Sequence, residues 1–129
     1  MAELVSIIIP FYNEERYLER AVRSALEQRY SPLEIILVND GATDGSPAIA
    51  RALCREQENV MLIDMPNSGP GAARNAGMEK ANGAYLTFLD SDDMLGPEAI
   101  SSWMQKAKAG NADIVIGKFR MKNSSNGSE

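Results

Sequence analysis

Short apolar runs alternate with amphipathic segments along this chain. Five runs rich in branched or aromatic residues lie at positions 4–9, 34–38, 60–63, 85–89 and 113–116. Runs of this length without internal polar alternation are typical of parallel strands buried on both faces. The order strand, helix, strand, repeated along the chain, predicts an α/β fold, with a doubly wound, mostly parallel sheet and helices on both faces.

The segments between the runs predict the helices. Apolar residues at 18, 21, 22, 25 and 26 share one face of a helix that we expect over 14–28. Ser46 is expected to cap a second helix, with Pro47 in its first position. Further helices are predicted over 72–80 and from position 96. Pro10 is expected to end the first strand.

Composition narrows the possible chemistry. Thirteen Lys and Arg against eighteen Asp and Glu give a net charge of −5, which argues against a nucleic-acid partner. The absence of histidine excludes a Ser-His-Asp triad, a histidine base and histidine zinc ligands within this chain. A single cysteine, Cys54, excludes an internal disulfide and fits a reducing compartment.

The apolar runs also bear on location and domain organisation. Each is far shorter than the roughly 20 residues that a membrane span needs, and the N-terminus does not look like a signal peptide. We therefore expect a cytoplasmic protein with no membrane span, and peripheral association with the inner face of the membrane stays open. One domain is expected over 1–120, followed by a polar tail over 121–129.

Candidate binding residues follow the predicted strands. Ligands of doubly wound sheets bind at the carboxyl ends of the strands. Polar stretches at 10–14, 39–41, 67–69 and 90–93 follow the first four runs, so we expect them to converge on one edge. The first stretch contains neither a Gly-x-Gly-x-x-Gly nor a Walker sequence, which argues against a dinucleotide fold and a P-loop.

Asp90 and Asp92 are the strongest signal. Carboxylates at i and i+2 of an extended segment point the same way, and their repulsion is relieved by a hard divalent cation. Mg²⁺ is usually held by one or two carboxylates, with phosphate and water completing its shell. The alternative is a solvated turn whose aspartates cap the fourth helix.

Four other side chains have two interpretations each. Asp40 suits hydrogen bonding to a base or ribose, or an Asx-turn. Tyr12 suits stacking on a base, or a place in the core. Arg74 could bind a phosphate or form an ion pair at the surface. Glu14 could belong to the binding site or stabilise the first helix by complementing its dipole.

Taken together, four stretches resemble the nucleotide-sugar-binding half of a family 2 glycosyltransferase with the Rossmann-like GT-A fold. They are VSIIIPFYNE at 5–14, ILVNDGATDG at 36–45, NSGPGAARNAG at 67–77 and FLDSDD at 88–93. Asn39 and Ala42 depart from the common family residues, aspartate and serine. The resemblance covers nearly the whole chain up to the fifth run, and it implies that the chain is truncated before the acceptor site.

The resemblance implies a role for each matching position. Pro10 and Tyr12 border the base, Asp40 binds it, and Glu14 lies close to the nucleoside. Arg74 lies near the diphosphate, Asp90 on the ribose side, and Asp92 is the principal ligand of Mg²⁺ or Mn²⁺, with Asp90 beside it. The complete implied set of nucleotide-sugar-binding residues is Pro10, Phe11, Tyr12, Glu14, Asp40, Arg74, Asp90, Ser91 and Asp92.

The implied activity is transfer of a sugar, with inversion, from a nucleotide-diphosphate donor such as a UDP-sugar. The acceptor is the hydroxyl of a saccharide or lipid-linked molecule, and the catalytic base lies outside this chain. Two alternatives stay open. One is a non-catalytic nucleotide-binding fragment. The other is a haloacid-dehalogenase-type phosphatase, in which Asp90 is the nucleophile and Asp92 the general acid.

Overall fold

The computed structural model describes residues 2–110, in which four strands alternate with four helices. The predicted strand at 113–116 and the domain boundary at 120 lie outside the described residues. The elements in chain order are β1 Val5–Phe11, α1 Leu18–Leu26, β2 Leu33–Asp40, α2 Ser46–Glu56, β3 Val60–Met65, α3 Pro70–Lys80, β4 Tyr85–Phe88 and α4 Ala99–Gly110.

The strands form one parallel sheet in the order β3-β2-β1-β4. β1 pairs with β2 over its whole length, from Val5 opposite Leu33 to Phe11 opposite Asn39. On its other side, β1 pairs with β4 from Val5 to Ile8 only. The chain builds the sheet outwards through β2 and β3 and then returns to the far side of β1. This reversal beside β1 is where doubly wound sheets bind ligands.

Helices cover both faces of the sheet, as the alternation predicted. Ile7 and Ile9 of β1 pack in the larger core cluster with buried residues of α1, α2 and α4. Ile8, between them in sequence, faces the smaller cluster with Ala73 of α3. The near-continuous apolar strands therefore have buried neighbours on both sides, which confirms the predicted fold class.

Pro10 does not end the first strand, contrary to the sequence-based expectation. β1 continues to Phe11, and Pro10 lies opposite Val38 of β2. The carbonyl of Ile8 accepts the Leu89 N–H at 3.0 Å, so residues 8 and 10 direct their backbone groups towards β4. Because β4 ends at Phe88, no ladder partner lies opposite the nitrogen of Pro10, and the missing N–H is tolerated.

Several helix boundaries differ from the predicted ones. α1 begins at Leu18, because the Glu14 carbonyl first accepts the N–H groups of Tyr17 and Leu18 in a turn. α2 has Gly45 at its N-cap, and Ser46 is its first residue. α3 begins at Pro70, directly after Gly69, whose φ of 100° is incompatible with a helix. α4 begins only at Ala99.

No helix within residues 2–110 combines the length and the apolar character needed to cross a membrane.

Candidate functional site

A cleft of about 220 Å³ lies at the carboxyl edge of the sheet, beside the β1–β4 reversal. It brings together predicted residues that follow three different strands. Six of the nine predicted site residues line it: Pro10, Phe11, Tyr12, Glu14, Asp40 and Ser91. Arg74, Asp90 and Asp92 are not among the lining residues, whereas Pro70 and Ala73 of α3, which are outside the predicted set of nine, are.

Two adjacent aromatic residues have different roles in this cleft. Phe11 is 2% exposed and belongs to the larger core cluster, so its side chain anchors the end of β1. Tyr12 is 47% exposed, which rules out the core interpretation of its ring. A half-exposed tyrosine at the rim of a cleft offers one aromatic face to a flat ligand.

Asp40 joins the end of β2 to the loop before α3. It is only 5% exposed, and Oδ1 accepts the Ser68 N–H at 2.7 Å while Oδ2 accepts the Gly69 N–H at 3.1 Å. Its carbonyl accepts a hydrogen bond from the Asn67 amide at 2.9 Å. These partners belong to the β3–α3 loop, so the carboxylate does not form an Asx-turn within its own loop. Oδ2 also accepts a long hydrogen bond from the Asn67 amide at 3.5 Å, whereas Oδ1 accepts the Ser68 N–H and keeps a lone pair for a ligand in the cleft.

The loops after β1 and β2 are also tied together. Oδ1 of Asn13 accepts the Thr43 N–H at 2.7 Å and the Asp44 N–H at 3.2 Å. Oδ2 of Asp44 accepts the Glu15 N–H at 3.1 Å, and Oε1 of Glu15 accepts the Gly45 N–H at 2.6 Å. Asn13 has a φ of 53°, a conformation that asparagine tolerates better than most residues. The cleft is therefore bordered by loops that fix one another.

Glu14 is placed among negative charges. Burial of its side chain, and then the charges of Asp92 and Asp44, raise the pKa of Glu14 above its ordinary value. Glu14 lines the cleft, so the influence of Asp92 puts that second carboxylate near the same opening. Like charges held together resist ionisation until a cation or a proton neutralises them. This arrangement goes beyond a first-turn glutamate that only complements the dipole of α1.

The Asp90–Asp92 segment differs from the extended geometry expected from sequence. The Asp93 N–H donates to the Asp90 carbonyl at 3.0 Å and closes a turn. The extended-strand argument for parallel carboxylates therefore does not apply. The helix-capping alternative does not apply either, since α4 begins at Ala99 and Oδ1 of Asp93 accepts the N–H of its neighbour Met94 at 3.0 Å. Asp90 and Asp92 are both exposed, and Ser91 between them is 7% exposed.

The carboxylates at the cleft could hold a cation only together with oxygen atoms from a bound ligand. Among residues 2–110, no group of three or more acidic, cysteine or histidine side chains is arranged to hold a metal ion. The exposed carboxylate of Asp92, which follows the cleft-lining Ser91, supplies the oxygen chemistry that Mg²⁺ and Mn²⁺ prefer. One or two carboxylates together with phosphate oxygens are the usual Mg²⁺ shell.

Arg74 lies on α3, one turn after Pro70, which lines the cleft. It is half-buried and has no ion pair or hydrogen bond with any residue of the described range 2–110. The ion-pair alternative is therefore not supported within that range. Arg74 lies one turn from the N-terminus of α3, the end of a helix at which anions are favoured.

Some site residues gave no sufficient signal in the sequence. Asn13, Glu15 and Asp44 act by cross-loop hydrogen bonds over about 30 positions of sequence. Pro70 reaches the cleft only because α3 starts two residues earlier than predicted. Asn13 and Asp44 lie within two of the stretches that carry the family resemblance, but nothing in their spacing indicated that they bond to each other's loops.

Comparison with known proteins identifies the family. The profile of glycosyl transferase family 2 matches residues 6–129, so the chain belongs to this family. The glycosyltransferase GlyG of Streptococcus pneumoniae serotype 4 is 39% identical over 120 residues, which are 92% of this chain and 40% of GlyG. The chain thus spans well under half the length of this relative.

Solved structures agree on the fold. S. aureus TarS 1-349 in complex with UDP-GlcNAc matches with a TM-score of 0.78 and 28% identity, over 84% of this chain and 32% of that one. The mannosyltransferase PcManGT of Pyrobaculum calidifontis, solved with GDP-Man and Mn²⁺, matches with a TM-score of 0.77 and 23% identity, over 83% and 33%. The second likeness concerns the fold alone. The predicted GT-A fold is confirmed.

Proposed function

We propose that this chain forms the donor-binding portion of an inverting, metal-dependent glycosyltransferase that uses a UDP-sugar. The observation that carries the proposal is the cleft, which gathers Tyr12, Glu14, Asp40 and Ser91 from the ends of three strands. The family membership and the likeness to a protein solved with UDP-GlcNAc support a nucleotide-sugar as its ligand.

The base of the nucleotide is assigned to the part of the cleft between Tyr12 and Asp40. The exposed ring of Tyr12 supplies a stacking surface. Asp40 is held by Ser68 and Gly69, and the remaining lone pair of its Oδ1 suits the N–H donor of a uracil ring. A carboxylate whose orientation is already fixed loses little entropy on binding, which favours affinity.

The diphosphate is assigned to the side of the cleft near α3 and Asp92. The half-buried Arg74 and the N-terminus of α3 offer positive potential to an anion. An acidic protein with a net charge of −5 gains from a cation when it binds an anionic ligand. Asp92, with Asp90 on the ribose side, would hold Mg²⁺ or Mn²⁺ together with the phosphate oxygens.

A bound cation would neutralise the charge that develops on the leaving diphosphate, a contribution of several kcal/mol to such reactions. The residues of this chain hold the donor: Tyr12 and Asp40 fix the nucleoside, and Arg74 adds charge at the phosphates. In-line attack on the sugar needs a base beside the acceptor hydroxyl, and no described residue is assigned that role. The acceptor is proposed to be a saccharide or lipid-linked hydroxyl at the cytoplasmic face of a membrane.

Calorimetric titration of UDP into the chain, with and without Mn²⁺, tests the proposal. We expect tighter binding with Mn²⁺, and we expect Asp92→Ala to remove that gain while binding without metal persists. Asp93→Ala is the matched control, because it removes the same charge at the neighbouring position, where the carboxylate accepts the Met94 N–H. Equal affinity for UDP with and without Mn²⁺ in the unmodified chain would refute metal dependence.

The alternatives make different predictions. A haloacid-dehalogenase-type phosphatase with Asp90 as nucleophile would hydrolyse p-nitrophenyl phosphate, and Asp90→Asn would abolish that hydrolysis. We expect no such Asp90-dependent hydrolysis. A non-catalytic nucleotide-binding fragment would bind UDP without hydrolysing or transferring the sugar of a UDP-sugar. The family membership favours the transferase over the phosphatase.

A further inference from the structure

Three polar side chains spaced four residues apart contact the Asp90–Asp93 turn or the segment that follows it. They are Arg20 and Ser24 on α1 and Gln28 just beyond its end, and together they are called the polar row. Each makes at least one hydrogen bond to the backbone between positions 92 and 100, about 70 residues away in sequence. Residues spaced by four lie on one face of a helix, so the row follows one side of α1.

The contacts occur in the same order on both segments. Arg20 Nη2 donates to the Asp92 carbonyl at 2.9 Å, and Ser24 Oγ accepts the Leu95 N–H at 3.0 Å. Gln28 Nε2 donates to the Gly96 carbonyl at 2.5 Å, and its Oε1 accepts the Ile100 N–H at 2.9 Å. The last bond satisfies an N–H group in the first turn of α4, which has no partner within its own helix.

Two members of the row are buried and one is exposed. Ser24 is 6% exposed and Gln28 is 8% exposed, so their bonds are shielded from water and costly to break. Arg20 is exposed, and its guanidinium lies 5.0 Å from the centre of the Tyr17 ring. The guanidinium therefore contacts both the Tyr17 ring and the Asp92 carbonyl. None of the three side chains lines the cleft, so their effect on the site has to pass through the backbone of the turn.

We propose that the polar row is the positioning device that fixes the Asp90–Asp93 turn and thereby sets how tightly the site holds its cation. Arg20 is the positioning residue nearest to the site, because it holds the backbone of Asp92 itself. This inference rests on the proposed function, in which Asp92 contacts the cation. Groups that orient metal ligands commonly change metal affinity by roughly 10- to 100-fold when they are removed.

The positioning role is tested first without any ligand. NMR-detected hydrogen exchange reports on the Asp93 N–H, which closes the turn. Loss of one supporting hydrogen bond predicts roughly fivefold faster exchange at Asp93 in Arg20→Ala, with exchange in β1 unchanged. Arg29→Ala is the matched control, because Arg29 makes an exposed ion pair with Glu98 further along the same segment.

The second measurement is the gain in UDP affinity on adding Mn²⁺. We expect Arg20→Ala to reduce this gain by roughly 10-fold and to leave metal-free UDP binding within about twofold of the unmodified chain. Arg20→Lys, which can still donate to a carbonyl, should recover part of the gain, and Arg29→Ala should retain all of it. A general loss of structure would weaken metal-free UDP binding as well. The ratio of UDP affinities with and without Mn²⁺ therefore reports on the positioning of the turn and not on the overall fold.

Two results would overturn the inference in distinguishable ways. If the unmodified chain shows a Mn²⁺-dependent gain and Arg20→Ala keeps it, the positioning role is wrong and the proposed function stands. If the unmodified chain shows no gain, the metal-dependent function fails and the inferred control of cation affinity fails with it. Ser24→Ala and Gln28→Ala are secondary variants, because a buried position can destabilise the whole fold.

Discussion

Oδ1 of Asp40 accepts a hydrogen bond from the backbone N–H of Ser68 at 2.7 Å, across 28 positions of sequence. The other carboxylate oxygen accepts the Gly69 N–H at 3.1 Å. The residue that family resemblance assigns to the nucleotide base therefore also holds the loop that leads into α3. Ligand contact and loop structure depend on the same carboxylate.

Asp40→Asn tests this double role. An amide presents only one acceptor oxygen, so one of the two backbone N–H groups would lose its partner at a site that is 5% exposed. We expect a loss of roughly 1–3 kcal/mol in the free energy of unfolding, measured in urea, together with weaker UDP binding. A variant that binds UDP weakly but unfolds like the original chain would limit Asp40 to ligand contact.

Gly77→Ala should destabilise the fold. A Cβ at Gly77 would lie 2.4 Å from Cγ2 of Ile8 and 3.3 Å from Cγ2 of Val38, where α3 packs on the sheet. Overpacking of this kind costs about 1–3 kcal/mol and should outweigh the gain of roughly 1 kcal/mol in helix propensity. Gly71→Ala in the first turn of α3 meets no atom within 4 Å and should be neutral or stabilising. Urea denaturation of the two variants gives the comparison, and equal effects would contradict the packing argument.

Glu14→Gln should stabilise the chain without ligand at neutral pH. Burial and the charges of Asp92 and Asp44 raise the pKa of Glu14, so its ionised form is a cost that grows as the pH rises above the ordinary glutamate range. Because the side chain is half-buried and its charge is partly screened by solvent, we expect a gain of no more than about 0.5 kcal/mol. The difference should disappear in acid, where both side chains are neutral. Thermal unfolding from pH 4 to pH 8 measures whether Glu14→Gln stabilises the chain at neutral pH, and Glu79→Gln, at an exposed position, is the control.

Glu34→Gln, a substitution away from the cleft, should destabilise the fold at neutral pH, in contrast to Glu14→Gln. Although burial favours the protonated form, hydrogen bonds from Ser6 and Asn82 hold the pKa of Glu34 below its ordinary value. A lowered pKa stabilises the fold at neutral pH, and that contribution is lost as the pH falls through the folded-state pKa. We expect Glu34→Gln to cost on the order of 1 kcal/mol at pH 7 and less in acid.

UDP binding provides the second check on Glu34. Its partners lie at the start of β1 and before β4, at the edge of the sheet opposite the cleft. The affinity for UDP should therefore stay unchanged in Glu34→Gln. Glu58→Gln, in the exposed turn before β3, is the control and should change neither stability nor binding.

The sequence predicted the elements of the fold well because burial leaves a periodic signal. Apolar runs identified the four described strands, and the residues that follow β1, β2 and β4 do meet in one cleft. Pro10 shows the limit of that signal. The effect of Pro10 on the strand depends on which neighbour its nitrogen faces, and therefore on a distant strand, β4, that ends at Phe88.

Side-chain bonds between distant loops left no such signal. Nothing in the spacing of Gln28 indicated that it would hold both the Gly96 carbonyl and the Ile100 N–H. Asp90 and Asp92 were expected on an extended segment, but one backbone bond from Asp93 turns the chain. The bonds of Gln28 depend on tertiary contacts, which local pattern does not encode, and Arg20 ties the turn itself to α1 in the same way.

The unequal lengths of β1 and β4 explain why the carboxyl edge of the sheet has space for a ligand. β2 accompanies β1 as far as Phe11, whereas β4 stops alongside Ile8 and leaves a notch three residues deep. Pro10 keeps that notch open, because it cannot donate to any strand that might grow into it. A proline in the middle of the sheet thus prevents the protein's own backbone from pairing along this edge of β1 and closing the notch.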